Sequence, residues 1–190
     1  CYKGERTKKI VSVGRLVAIK NTDMLIRAFA RLSGEYPRHT LQIYGDGDKR
    51  GELEMLCQEL GIAGRVRFHG FVSSVSDDIA NACLYVMTSR HEGMPNALIE
   101  AMAMGIPCIS TDCPSGGPAE LIQSGENGLL IPVGDEDALV SAMQRVLSDG
   151  EFARKLGENA LRIREQLNTE RIVDQWQALI EQILEANYGR

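Results

Sequence analysis

The chain has 190 residues and a formal net charge of −5 at pH 7, and 44% of its residues are hydrophobic, 25% charged and 5% aromatic. This composition is typical of a globular protein, and the length suffices for one domain with a substantial core. The acidic balance argues against general binding to nucleic acid or to a membrane surface, because both depend on an excess of Lys and Arg. Any phosphate site must therefore be local.

Cysteine usage and hydropathy predict a cytoplasmic protein. The five cysteines have no CxxC spacing and are odd in number, which argues against a disulfide framework and against a zinc site. His39 and His69 have no clustered acid or cysteine partner, so no metal is expected. No apolar run approaches the roughly 18 residues of a membrane span, and the N-terminus lacks the apolar core of a signal peptide.

Strands and helices alternate along the chain. A β-branched strand is predicted at residues 9–13, and a helix capped by residues 21–23 extends to residue 36, where Pro37 stops it. The apolar stripe of this helix consists of Met24, Leu25, Ala28, Phe29 and Leu32. Further strands are predicted at residues 40–44, 65–68, 84–88, 107–111 and 128–132. Further helices are predicted at residues 49–60, 75–82, 95–104, 118–123, 135–148, 151–166 and 169–186.

This alternation predicts an α/β fold built from βαβ units. Its centre is a Rossmann-like parallel sheet of about six strands with helices on both faces. Ligands of such sheets bind at the carboxyl ends of the strands, near a topological switch point. Trp176 and the apolar residues that follow it at helical spacing are expected to belong to the core.

The most informative stretch runs from residue 84 to residue 105. An apolar strand is followed by a tight loop and by a helix with Pro95 at its first position and Gly105 as its left-handed C-terminal cap. The loop carries Glu92 and the helix carries Glu100. Apolar neighbours surround Glu100, so a fully solvated face is hard to draw around it.

This stretch predicts a site for an anionic ligand that carries hydroxyl groups. The N–H groups of the first helical turn attract phosphate, and Gly93 lets the backbone approach a ligand closely. A carboxylate accepts hydrogen bonds only, which suits Glu92 and Glu100 to pairs of sugar or ribose hydroxyls. The alternative is that both are ordinary surface glutamates.

Two cations follow the first strand. Arg15 and Lys20 could together neutralise a diphosphate, although an Arg and a Lys in a loop are more often surface charges. The sequence Gly45-Asp46-Gly47 follows the second strand and is not the GxGxxG fingerprint, which weakens a nicotinamide or flavin hypothesis and favours an ordinary turn.

At these residues the chain resembles the retaining glycosyltransferases of family 4, which have the GT-B fold. Glu92 and Glu100, with seven residues between them and with Gly93 and Pro95 after the first, look like the family's E-x7-E signature. Three further blocks lie in the family's order and spacing, namely residues 14–20, 105–112 and 125–130. The resemblance covers roughly residues 9 to 184.

The resemblance implies a role for each candidate residue. Glu92 would hold the hydroxyls of the donor sugar and Glu100 those of the ribose, while Arg15 and Lys20 would bind the diphosphate and stabilise its departure without a metal or other cofactor. The loops after the second and third strands would lie near the nucleoside, with backbone groups of Phe71 or Val72 binding the base. The donor-binding residues would further include Gly14, Gly45, Gly47, Gly93, Met94, Pro95, Asn96 and Ala97.

The resemblance also implies the reaction and its partners. A hexosyl group would move from a UDP-sugar to an acceptor hydroxyl, on a sugar or a lipid-linked sugar, with retention of configuration. The chain would be the C-terminal half of a two-domain enzyme, inactive without the N-terminal half. Acceptor recognition, and any attachment to the inner face of a membrane, would belong to that half, against which the last helix of this chain could pack. The alternatives are another GT-B enzyme, such as an epimerase or a phosphorylase, and a non-catalytic nucleotide-sugar sensor.

Overall fold

A computed structural model describes residues 6–188 of the protein, with side chains described for residues 6–185. Its strands are β1 (Lys9–Val13), β2 (Thr40–Tyr44), β3 (Val66–Gly70), β4 (Leu84–Met87), β5 (Cys108–Thr111) and β6 (Leu129–Ile131). They form one sheet in the order β3-β2-β1-β4-β5-β6, and every neighbouring pair is parallel. The prediction of a six-stranded parallel sheet is confirmed, and the strand order reverses between β1 and β4.

Helices connect the strands. They are α1 (Thr22–Leu32), α2 (Arg50–Glu59), α3 (Ser76–Ile79), α4 (Asn96–Ala103), α5 (Gly117–Leu121), α6 (Glu136–Ser148), α7 (Gly150–Ala160), α8 (Ile163–Gln166) and α9 (Thr169–Tyr188). Short 3₁₀ turns at Ala18–Lys20 and Ala63–Arg65 precede α1 and β3.

The core lies on both faces of the sheet because side chains alternate along each strand. On β4, Leu84 and Val86 join the cluster under α1, α2 and α6, whereas Tyr85 and Met87 join the cluster under α3, α4 and α8. All four side chains of β4 are buried, as a central parallel strand requires. The predicted apolar stripe of α1 is buried throughout.

Two helices differ from their predicted bounds. Helix α1 ends at Leu32 instead of residue 36, where Ser33 Oγ donates back to Ala30 O at 2.7 Å. Arg65 donates to the carbonyl oxygens of Ser33 and Tyr36 in the turn that follows. The helix predicted at 151–166 is divided into α7 and α8. Gly157 of α7 packs against the backbone of Gly105, where a Cβ on Gly157 would lie 2.2 Å from the Gly105 carbonyl oxygen.

The hypothesis that Trp176 belongs to the core is wrong. Trp176 is 62% exposed, and the other large apolar side chains of α9 that the structure describes from residue 173 onward are 45–55% exposed. These residues do follow one another at helical spacing, but the α9 side chains described up to residue 185 belong to neither core cluster.

Candidate functional site

The loops that carry the candidate residues meet at the carboxyl edge of the sheet. Strands β1 and β4 are neighbours, so the loop from Gly14 to Asn21 and the loop from Thr88 to Pro95 lie side by side at the switch point. This is the place where open α/β sheets bind their ligands. A recess between the strand ends measures about 10 Å³, which is room for about one water molecule.

Lys20 and Glu92 form an ion pair across the two loops. The Lys20 ammonium donates a short hydrogen bond to Oε1 of Glu92, and Ser89 Oγ donates to the same oxygen at 2.6 Å. The side chains of Lys20 and Glu92 are 24% and 12% exposed. Within residues 6–185, Oε2 of Glu92 accepts no hydrogen bond, so this oxygen and the other two ammonium protons of Lys20 can serve a ligand.

Arg15 and Glu100 differ from that pair. Both are exposed, and neither forms a hydrogen bond or ion pair with the part of the chain that the structure describes. The expectation that Glu100 avoids a solvated face is wrong. Leu98, Ala101 and Met102 face the core, and helical periodicity places Glu100 on the opposite side with Asn96.

The N-terminus of α4 opens onto this edge. Pro95 is its N-cap and not its first helical residue, because α4 begins at Asn96. The amides of Asn96 and Ala97 therefore lie in the first turn, where N–H groups lack intrahelical acceptors. Met94 is 59% exposed at the tip of the loop. At the other end, Gly105 has φ of +71° and closes the helix as predicted.

Glycines bring the β2 loop against the β1 loop. A Cβ on Gly45 would lie 2.0 Å from the Gly14 carbonyl oxygen, and one on Gly47 would lie 2.3 Å from the Leu16 carbonyl oxygen. The stem of Lys20 passes over Gly14, where a Cβ would be 3.8 Å from Lys20 Cδ. These contacts give the glycines a packing role beside the cations, and their predicted contact with a donor stays a prediction.

The loop after β3 lies farther along the same edge. Its Phe71 is 84% exposed, and Val72 is partly buried against the core cluster under α3, α4 and α8. Gly45 N donates to Gly70 O at 2.8 Å, which joins this loop to the β2 loop. The predicted binding of a base by Phe71 or Val72 stays a prediction.

A third loop holds Glu92 from the other side, and sequence analysis missed its role. Ser115 Oγ donates a short bond to Glu92 O, and Glu92 N donates to Ser115 Oγ at 3.2 Å. A Cβ on Gly117 would lie 1.6 Å from the Gly93 carbonyl oxygen, so only glycine fits there. The paired glycines at 116 and 117 were the available signal. Nothing in the sequence marked Ser89 as a partner of Glu92.

The buried groups under the site stay protonated at neutral pH. Burial raises the pKa of the Tyr85 hydroxyl, and the negative charges of Glu92 and Glu100 act in the same direction. Burial also raises the pKa of the Cys113 thiol, which donates to Ser89 O at 3.2 Å. Neither group is a ready nucleophile. Across the described residues, no three His, Cys, Asp or Glu side chains cluster as a metal site would require, and no helix is long and apolar enough to cross a membrane.

Comparison with known families gives a match over most of the chain. The family model described as "Glycosyl transferases group 1" matches residues 3–162. The match includes every loop of the site and ends before α9.

Individual relatives are longer than this chain. The lipopolysaccharide core biosynthesis glycosyltransferase LpsE of Rhizobium meliloti is 37% identical over 149 residues, which are 78% of this chain and 42% of the relative. The lipopolysaccharide 1,6-galactosyltransferase of Salmonella typhimurium is 40% identical over 152 residues, which are 76% and 41% of the two chains. This chain thus spans less than half the length of these curated relatives.

Solved structures share the fold. Anabaena HepE, crystallised in complex with UDP, superimposes with a TM-score of 0.86 at 25% identity, over 93% of this chain and 49% of that one. The similarity extends over the whole sheet and its flanking helices.

Proposed function

This chain belongs to the glycosyl transferases group 1 family, and we propose that it is the donor-binding, C-terminal half of an enzyme that transfers a hexosyl group from a UDP-sugar to an acceptor hydroxyl. The observation that carries the proposal is the Lys20–Glu92 pair at the switch point of the sheet. One loop presents a cation and its neighbour presents a carboxylate oxygen, as a sugar diphosphate requires.

Each part of the donor has a group of matching chemistry. Lys20 and the exposed Arg15 bind the diphosphate together with the amides of Asn96 and Ala97. Oε2 of Glu92 accepts hydrogen bonds from sugar hydroxyls, while Oε1 stays with Lys20 and Ser89. Glu100, one turn into α4, accepts from the ribose hydroxyls.

The comparisons support this assignment. The names of both curated relatives describe glycosyl transfer in lipopolysaccharide synthesis, and the HepE crystals contain UDP. We extend the nucleotide to this chain because the match covers the loops that carry Lys20, Glu92 and Glu100.

We propose retention of configuration and independence of metal ions. Retention follows from the resemblance of the Glu92 and Glu100 spacing to the signature of retaining enzymes, and the open Oε2 of Glu92 is assigned to sugar hydroxyls. The positive charges of Arg15 and Lys20 stabilise the leaving diphosphate directly. Retention is tested by the anomeric signals of the product in NMR, and metal independence by transfer rates that EDTA leaves unchanged.

The rest of the enzyme packs against α9. The relatives are more than twice as long as the matched segment, and the apolar side chains of Val173, Trp176 and Ile180 are more than half exposed. A helix that presents such a face requires a partner surface. In this proposal that surface belongs to the N-terminal half, which also binds the acceptor.

Calorimetric titration of this chain with UDP, GDP, ADP and UDP-hexoses, without added metal, tests the donor assignment. The proposal expects binding of UDP in preference to the other two nucleotides, and about tenfold weaker binding by Arg15→Ala, since one charged contact to phosphate is lost. Arg67→Ala is the matched control, because Arg67 is exposed on β3 outside the site loops.

Other outcomes of this titration are equally informative. If the chain prefers GDP or ADP, the proposed donor site is retained but the proposed uracil base is wrong. Equal affinity of the wild-type chain and Arg15→Ala removes Arg15 from the diphosphate site. If the longer enzyme also binds donor but never transfers or cleaves it, the protein is a non-catalytic nucleotide-sugar module, and a requirement for inorganic phosphate marks a phosphorylase.

A further inference from the structure

Hydrogen bonds join the two loops that carry Lys20 and Glu92. Thr88 Oγ1 donates to the carbonyl oxygens of Lys20 and Asn21, at 3.1 and 3.0 Å. The amide of Arg90 donates to Ile19 O at 2.8 Å. All of these bonds run between the loop after β1 and the loop after β4.

Asn21 adds a side-chain connection between the loops. Its Oδ1 accepts hydrogen bonds from Nη2 and Nε of Arg90, at 3.0 and 3.3 Å, and its Nδ2 lies 3.2 Å from Met24 Sδ. Asn21 is 4% exposed. We call the two bonds to Arg90 the Asn21–Arg90 clasp. It lies directly between Lys20 and the loop of Glu92.

The backbone conformation of Asn21 favours glycine over asparagine. Its φ is +51°, and within residues 6–188 no other residue except glycine has a positive φ. Glycine adopts this conformation with the least strain. A buried carboxamide also costs free energy unless it is hydrogen-bonded. Asparagine at this position therefore contributes chiefly through the bonds that its side chain makes with Arg90.

We propose that the Asn21–Arg90 clasp is a positioning device that sets Lys20 against Glu92. The clasp fixes the loop that ends in Lys20 relative to the loop that carries Glu92. Its consequence for a ligand rests on the proposed function: the clasp holds the diphosphate-binding cation and the sugar-binding carboxylate at the spacing of one donor molecule. Neither clasp residue touches the donor in this assignment.

A ligand-free experiment tests the positioning itself. Urea unfolding of Lys20→Met, Glu92→Gln and the double variant gives the coupling between Lys20 and Glu92, first with Asn21 and then with Asn21→Gly. The proposal expects Asn21→Gly to remove roughly half or more of this coupling, while circular dichroism shows an intact fold. Unchanged coupling in the Asn21→Gly background overturns the proposal.

Two further variants separate positioning from general stability. Arg90→Met keeps the aliphatic stem but lacks the guanidinium, so it lowers the coupling as Asn21→Gly does, and the two changes together lower it no further. Asn127 also bonds through both side-chain atoms, to Leu121 O and Gln123 N, but lies outside the site loops. Asn127→Gly therefore lowers overall stability and leaves the Lys20–Glu92 coupling unchanged. Equal effects of Asn21→Gly and Asn127→Gly on the coupling contradict the proposal.

A ligand arm tests the consequence for donor binding. Calorimetry gives the ratio of UDP-hexose affinity to UDP affinity, which reports the contribution of the sugar site. Asn21→Gly is expected to lower this ratio by about tenfold, because Lys20 and Glu92 are then no longer held at the spacing that lets both bind one donor molecule. The affinity for UDP alone stays within about twofold. An unchanged ratio overturns the role of the clasp in donor binding. If the wild-type chain binds neither ligand, the longer enzyme is titrated in the same way, and absence of binding there overturns the proposed function. The urea cycle decides the positioning in either case.

Discussion

Arg65 and Arg6 at the amino edge of the sheet differ from Arg15 at the carboxyl edge. At the amino edge, Arg65 donates four hydrogen bonds of 2.6–3.1 Å to the carbonyl oxygens of Ser33, Tyr36 and His39. Arg6 donates to the carbonyl oxygens of Ala80, Ala82 and Gly105 at the same edge. At the carboxyl edge, Arg15 is exposed and makes no such bond within the described residues. A guanidinium whose donors are used by backbone carbonyls stabilises the fold, whereas one with open donors is available to a ligand.

Lys20 and Glu92 occupy an intermediate position. They are paired with each other, as structural charges are, yet the pair lies at the edge where ligands bind and retains an open carboxylate oxygen. The comparison therefore predicts three kinds of variant. Changes at the amino edge affect stability alone, changes at Arg15 affect binding alone, and changes at the pair affect both.

The largest effect is expected for Arg65→Ala. This variant removes the side-chain donor from the carbonyl oxygens of Ser33, Tyr36 and His39, of which Tyr36 O keeps the His39 amide. It also removes the guanidinium that lies 5.1 Å from the centroid of the Phe29 ring. Because hydrogen bonds to charged groups contribute about 1.5–3 kcal/mol each, we expect a loss of about 3 kcal/mol in urea unfolding. The affinity for UDP should not change. If Arg65→Ala folds but binds UDP more weakly, the expectation that changes at the amino edge affect stability alone is contradicted.

Lys20→Ala is expected to affect both properties. It leaves the Glu92 carboxylate, which is 12% exposed, with Ser89 as its only side-chain donor within the described residues, and it removes a diphosphate ligand. We expect about 2 kcal/mol less binding free energy for UDP, which is roughly thirtyfold in affinity, and about 1 kcal/mol less stability. Combining it with Glu92→Gln should restore part of the stability but none of the UDP affinity. Restoration of both would mean that the pair is structural only.

Gly117→Ala is expected to act through the third loop. The added Cβ would lie 1.6 Å from the Gly93 carbonyl oxygen, so the loop of Glu92 must move. In urea unfolding we expect the variant to lose about 1.5 kcal/mol of stability. In calorimetry we expect it to lose more affinity for UDP-hexose than for UDP. Gly51→Ala is the control, because nothing lies within 4 Å of a Cβ there and its stability should not fall.

The smallest effect concerns pH and the amino edge. Burial lowers the pKa of His39 below its ordinary 6.5, and the charges of Lys8, Arg65 and Arg38 lower it further. The unfolded chain then binds the proton more readily, so stability falls as pH drops from 6.5 toward the lowered pKa, by at most about 1.4 kcal/mol per pH unit. His39→Gln should reduce this slope in urea unfolding, leaving the part that His69 contributes, since its pKa is also lowered by burial. An unchanged slope would contradict the assignment to His39.

Local patterns predicted the strands well. The bounds of β1 and β2 coincide with the predicted ones, because β-branched and apolar residues are flanked by clear turn residues there. The loop after β4 and the cap at Gly105 were likewise visible in the sequence. Contacts between distant residues were not. The bonds of Arg65 to the turn after α1 and the packing of Gly157 on Gly105 are contacts of this kind.

The charged members of the site were predictable, and their partners were not. Lys20 and Glu92 stand out by their chemistry, but 72 residues separate them and only the neighbouring positions of β1 and β4 bring them together. The exposure of Trp176 could not be deduced, because an amphipathic pattern is the same whether its partner lies within the chain or outside it.

The division of the donor between Glu92 and Glu100 is tested by calorimetric titration of the wild-type chain, Glu92→Gln and Glu100→Gln with UDP and with a UDP-hexose. We expect Glu92→Gln to weaken UDP-hexose binding by about tenfold and to leave UDP binding nearly unchanged, whereas Glu100→Gln weakens the binding of both ligands alike. Equal losses for both ligands in both variants, or no loss in either, would contradict the assignment of the sugar to Glu92 and of the ribose to Glu100.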